Sequence, residues 1–197
     1  MYCDCVIEGP GEVGSQNRRT GPGKRAGITL AELLVVIAII GIVAAVALPG
    51  LGAFASRKTI VHQADQMGAL LHQARERALR QGVPWRVVFS PGQSQWVCFG
   101  DPNRNMQSDP GEQRLGPFFL ARGIVFGCRA PEGPNRSVIP GDGISFMANR
   151  VSFSPMGGCN AGTIYLQSQD RNLALRVLPA SGTVQVYAYH QSWSLLR

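Results

Sequence analysis

The chain lacks the short motifs by which the common enzyme classes handle substrates. It has no Gly-x-Ser-x-Gly elbow, no His-Glu-x-x-His pair, no Walker A loop, and no Gly-x-Gly-x-x-Gly turn after a strand-like run. Its three histidines, His62, His72 and His190, are scattered. The first two stand ten residues apart on what reads as one helix, so they face different directions and make poor joint ligands. No Cys-x-x-Cys pair is present to hold zinc. Lysine is almost missing: 17 of the 19 basic residues are arginine, so the formal charge of +7 rests on planar, bidentate donors. A catalytic function therefore has no residues to rest on. Structural and binding roles remain, with a basic surface that suits anionic partners or simply solvates the protein.

At 197 residues the chain has room for one membrane segment and one small globular domain. The 24 glycines and 13 prolines fall almost wholly outside residues 28–48, which points to a domain of short strands and turns. Between Ile28 and Leu48 the sequence is apolar apart from Thr29 and Glu32. About 21 residues at 1.5 Å each reach roughly 31 Å, enough to cross a hydrocarbon core. Arg18, Arg19, Lys24 and Arg25 precede the run and only Arg57 and Lys58 follow closely, so the positive-inside bias predicts a cytoplasmic N-terminus. The alternative is a secretory signal cut after Ala47, for which Ala45-Val46-Ala47 supplies an A-x-A pattern. Against it stand the length of the run and the carboxylate inside it, which costs on the order of 2.5–3.5 kcal/mol at a bilayer centre.

Lys24-Arg25-Ala26-Gly27 leading into Ile28-Thr29-Leu30-Ala31-Glu32, with Pro49 closing the apolar run, resembles type IV prepilins and type II secretion pseudopilins. That family has a basic leader, a glycine, an apolar first residue and a glutamate fifth; Ile28 stands where phenylalanine is usual, and the 27-residue leader is long. The resemblance implies cleavage of Gly27–Ile28 by a prepilin peptidase and methylation of the new Ile28 amine. Glu32 in the first helical turn is favoured by the helix dipole. It can also pair with a neighbouring subunit's amine, which sets register more than it adds stability.

Past Pro49-Gly50-Leu51-Gly52, where the helix is expected to bend or loosen, Ile60, Ala64, Met67, Leu71, Ala74 and Ala78 recur at steps of four and three. The stripe predicts an amphipathic helix packed on the remaining domain and stopped by Gly82 and Pro84. Strand-like runs follow at Trp85–Phe89, Gln95–Phe99, Ile124–Phe126, Ile144–Phe146, Val151–Phe153, Thr163–Leu166, Leu173–Leu178 and Thr183–Tyr189. Antiparallel pairing is their natural arrangement, with Pro179-Ala180-Ser181-Gly182 as the last hairpin.

Val151 to Gly157, Gly162 to Leu166, and Leu175-Arg176-Val177 through Val186 look like the C-terminal half of the GspH/FimT pseudopilin domain. The implied fold is α+β and pilin-like: a long N-terminal helix, transmembrane then amphipathic, on an antiparallel, sandwich-like head. The expected organisation is a cleaved leader at 1–27, a transmembrane and assembly helix at 28–49, an amphipathic helix at 50–82 and a periplasmic β head at 83–197. The implied role is a minor subunit of a type II secretion pseudopilus or type IV pilus, single-pass in the bacterial inner membrane. Its partners would be other pilins or pseudopilins, the prepilin peptidase and the inner-membrane assembly platform.

Three further sites are candidates. Asp101, Asn103, Asn105, Gln107, Asp109 and Glu112 place oxygens at the spacing of an EF-hand calcium loop, although Met106 sits where the turn wants glycine; a solvated polar loop is the alternative, and no other cofactor is indicated. Cys128 and Cys159 lie in glycine-rich loops and are the expected disulfide pair, Cys98 being in a strand pattern. Some FimT-type subunits bind DNA through a GRxR motif at the last hairpin, where this chain has Gly182-Thr183-Val184-Gln185. Arg171 and Arg176 are the nearest replacements, so any DNA binding is expected to be weak and salt-sensitive.

Overall fold

The computed structural model describes residues 29–196, with side chains described for 29–45 and 59–196. Gly27, Ile28 and the leader lie outside the described residues. Two units are distinguished, 1–44 and 45–197. Helix α1 runs Leu30–Gln81, and the helical assignment continues through Pro49-Gly50. It stops where expected: Gly82 takes φ +67° and returns its N–H to Ala78 O at 3.1 Å, a left-handed cap that glycine adopts without a Cβ penalty.

Within the head, the six stripe residues Ile60, Ala64, Met67, Leu71, Ala74 and Ala78 are all fully buried. They join the inner faces of two antiparallel sheets in one hydrophobic cluster. The first sheet is built from β1 (Trp85–Ser90), β2 (Gln95–Gly100), β3 (Arg114–Phe119) and β5 (Arg150–Phe153), in the order β3-β2-β1-β5. The second takes β4 (Val125–Phe126), β6 (Gly162–Gln167), β7 (Asn172–Val177), β8 (Val184–His190) and β9 (Ser192–Leu195), in the order β4-β6-β7-β8-β9. Alternation decides which residues face inward: Leu173, Leu175 and Val177 of β7 enter the core, while Asn172 and Arg176 are only partly covered. Each large inward side chain contributes on the order of 1.5–3 kcal/mol by leaving water.

The strand pattern departs from expectation in three places. β3 and β9 were not foreseen: β3 carries Gly116-Pro117 and is mostly exposed, and β9 is only four residues long. Ile144–Phe146 forms no strand and contributes the single bridge Ile144↔Ile164. The outer face of the second sheet also has a small core of its own. Trp193 reaches Tyr165 (centroids 6.2 Å apart) and Tyr189 (5.2 Å), and its indole N–H bonds Glu132 O at 2.7 Å. That contact pins the 130–137 segment over Tyr165, whose hydroxyl lies 3.3 Å from Ser137 Oγ.

Two arginines lock α1 to the head. Arg75 Nε donates to Gly157 O at 3.1 Å, and a Cβ on Gly182 would stand 2.5 Å from Arg75 Cδ, so any side chain there must displace Arg75. Arg77 lies 4.9 Å above the Trp85 ring, whose N–H donates to Gln81 Oε1 at 2.9 Å.

Candidate assembly site

The start of α1 is a reciprocal cap. Glu32 N–H donates to Thr29 Oγ1 at 3.2 Å, while Thr29 N–H and its hydroxyl donate to Glu32 Oε2 at 3.2 and 3.3 Å. This Thr-x-x-Glu capping box satisfies orphan amides of the first turn. The charge of Glu32 alone does not point to this role of Thr29; its sequence signal is the 29–32 spacing just ahead of an apolar run. Among the described residues Glu32 accepts only through Oε2, and Oε1 has no partner there.

Beyond the cap, the large apolar side chains are exposed on every side of the helix; Leu30 is 77% and Ile42 67% accessible. A helix apolar all round requires lipid or other helices against it. The described side chains of this run end at Ala45, and among the described residues no helix is long and apolar enough to cross a membrane.

The 101–112 loop turns most of its oxygens to donors within the head. Asp101 is fully buried and ion-paired with Arg86, whose Nη1 also donates to Ser152 Oγ at 2.6 Å. Its oxygens further accept the Asn105 and Met106 amides at 3.0 and 3.1 Å. Asn103 and Asn105 turn their side-chain nitrogens to Asp109 Oδ2 at 2.7 and 2.6 Å, and their oxygens take the amides of Asn105 and Gln107. Glu112 Oε2 accepts the Asp109 amide. The loop's acceptors are thus largely spent on its own donors, and among the described residues no group of three or more His, Cys, Asp or Glu is placed to hold a metal.

The Cys128–Cys159 bridge is likewise not made; Cys98, Cys128 and Cys159 are free thiols. Cys159 donates to Leu178 O, just past the end of β7, whereas the Arg129 amide beside Cys128 bonds Asn172 at its start. Six strand residues separate those points by about 20 Å, against less than about 7 Å between the Cα atoms of a disulfide. Burial pushes the Cys98 thiol up to about 12, with Arg77 opposing, and raises Cys128 and Cys159 as well.

Arg171 and Arg176 are not brought together. Arg176 sits within β7 between Thr163 and Gln185. Arg171 precedes the strand, with its backbone tied to Ser168 and its buried Nε without a partner.

A capped apolar helix leading into an amphipathic stripe under a two-sheet head defines a pilin-type subunit. Residues 63–182 match the family described as Type II transport protein GspH, and residues 22–48 match the prokaryotic N-terminal methylation motif. The first match covers more than half of the chain, and the chain belongs to the GspH family. The family is one of structural pseudopilin subunits and not of known enzymes. The methylation motif indicates anchoring in the inner membrane with the head on the periplasmic side. The pilin-like protein PilA1 of Thermus thermophilus is 34% identical over 90 residues, 45% of this chain. The match spans only 56% of that relative's length. Two structures of the minor pseudopilin EpsH from the type II secretion system of Vibrio cholerae are distant neighbours. One is 13% identical with a TM-score of 0.43, covering 66% of this chain and 97% of its own. The other is 12% identical with a TM-score of 0.44, covering 70% and 99%.

Proposed function

We propose that the chain is a minor pilin or pseudopilin that a prepilin peptidase cuts after Gly27, and that it enters a filament of related subunits through the apolar segment that then heads the mature chain. The observation that carries this reading is the Thr29–Glu32 cap heading an apolar helix that is exposed on all sides in the single chain. Cleavage puts a cationic amine at Ile28, next to the cap. Oε2 of Glu32 holds its own helix start, and the free Oε1 accepts the Ile28 amine of a neighbouring subunit. Two buried charges that must meet fix the stagger between helices. Residues 28–48 form the single membrane pass before assembly, with the N-terminus cytoplasmic. The separation of Arg171 from Arg176 favours this structural role over a DNA receptor. The test is co-expression with the filament genes of its host, followed by shearing and immunoblotting. Glu32→Ala should leave the chain processed and membrane-bound yet absent from sheared filaments; normal incorporation would remove the pairing.

A further inference from the structure

We infer that the cavity beside β5 is a receptor for one acidic side chain of a neighbouring polypeptide, whose carboxylate takes the remaining N–H groups of Arg86 and the hydroxyls of Ser152 and Ser154. The cavity has a volume of about 450 Å³, within the range of about 300–1,000 Å³ usual for binding sites. Pro84, Phe153 and Pro179 give it apolar surface on which a methylene stem can pack. Of the described residues lining it, only Arg86 carries a formal charge.

Arg86 is only 6% exposed, and its guanidinium is fixed on two sides. Nε is ion-paired with Asp101, and Nη1 donates to Ser152 Oγ at 2.6 Å. Among the described residues Nη2 makes no hydrogen bond, and it is not sealed from solvent, so its N–H groups are left to the cavity. Ser152 Oγ accepts from Arg86 and keeps its own hydrogen to give, and Ser154, two residues on, brings a second hydroxyl. Donors held in place around one space call for an acceptor, and a carboxylate meets a guanidinium with shorter, stronger bonds than a neutral carbonyl does.

The charge balance selects a monoanion. Asp101 cancels one guanidinium charge, and Arg75 adds another nearby, where it favours the Cys159 thiolate against the push of burial. One net positive charge is matched by a carboxylate and overmatched by a phosphate dianion. Gly158 keeps the space open. A Cβ there would lie 3.8 Å from Ser154 Oγ and 3.7 Å from Pro179 O, so a larger side chain starts without a clash and projects among the cavity's own groups.

Cys159 lies in the cavity wall, so its alkylation reports occupancy, and Cys128 outside the cavity is the internal control. The test follows iodoacetamide modification of both thiols by peptide mapping at about pH 8.5, on the full chain in lipid nanodiscs, with the blocked peptide N-acetyl-Ala-Glu-Ala-amide as probe. The peptide should slow Cys159 saturably and leave Cys128 unchanged, and its glutamine counterpart should have no such effect. Gly158→Leu should weaken the protection by about tenfold or more. Ser154→Ala, which removes only a hydroxyl, serves as the second variant and should weaken it too. Absence of saturable protection, equal protection by the glutamine peptide, or protection unchanged in both variants overturns the proposal. So does tighter protection by inorganic phosphate, which would make the site a phosphate site, or equal protection by sodium acetate, which would make it a small-anion site. No filament is needed, so the outcome is independent of cleavage at Gly27.

Discussion

Replacing Asp101 by Ala would leave the Arg86 guanidinium buried with its side chain only 7% exposed, and would strand the Asn105 and Met106 amides that Asp101 accepts. Breaking a buried ion pair by removing one partner costs about 3–5 kcal/mol, because the surviving charge stays out of water. For a chain of this size each kcal/mol lowers the melting temperature by about 2–4 °C. Asp101→Ala should therefore melt about 6–20 °C below wild type, followed by near-ultraviolet circular dichroism on the full chain in detergent. Asp101→Asn should lose nearly as much, since the shape survives and the charge does not. Replacing both partners, Arg86→Met with Asp101→Leu, should recover much of the loss. A melting temperature within about 2 °C of wild type for Asp101→Ala would refute the reasoning. So would a wild-type melting temperature that falls on adding EGTA, because then the carboxylate would be serving a cation and not Arg86.

Gly182→Ala should destabilise the head by at least about 1–2 kcal/mol, since φ is +62° and the new methyl meets Arg75; Arg75→Ala should relieve the clash but not the backbone strain, as denaturant midpoints would show. Thr29→Ala should cost the helix start about 1 kcal/mol, read as faster amide exchange in its first turn in nanodiscs, with Glu32→Gln milder. Only thiolates alkylate, and burial pushes Cys98 to about 12, so at pH 8.5 iodoacetamide mapping should find Cys128 and Cys159 modified and Cys98 untouched until the head unfolds.

Local signals account for what the sequence made legible. Ile60 to Ala78 could be read as a buried stripe because helical periodicity survives in sequence, and every member is in fact fully buried. β3 escaped because Gly116-Pro117 looks like a loop, and an outer strand tolerates it. The Arg86 pairing of Asp101 is not legible locally, because the two lie fifteen residues apart and meet through the β1–β2 pairing, with Trp85 opposite Gly100. The cysteines were misjudged for the same reason: loops that share glycine need not share a place. The Thr29–Glu32 cap is legible as Thr-x-x-Glu ahead of an apolar run, independently of the charge on Glu32. The cavity beside Arg86 had no sequence signature, since it is assembled from residues 84–86, 152–159 and 179, far apart in the chain.

The filament reading stands most directly on where the chain is cut. Intact mass and N-terminal peptide mapping of the protein from membranes of a host with prepilin peptidase would decide it. The account predicts a mature chain that begins at Ile28 with a methylated amine, and a full-length chain in a host without the peptidase. A mature chain beginning at Leu48, cut after Ala47, would contradict it, because the helix that carries Glu32 would then have been discarded.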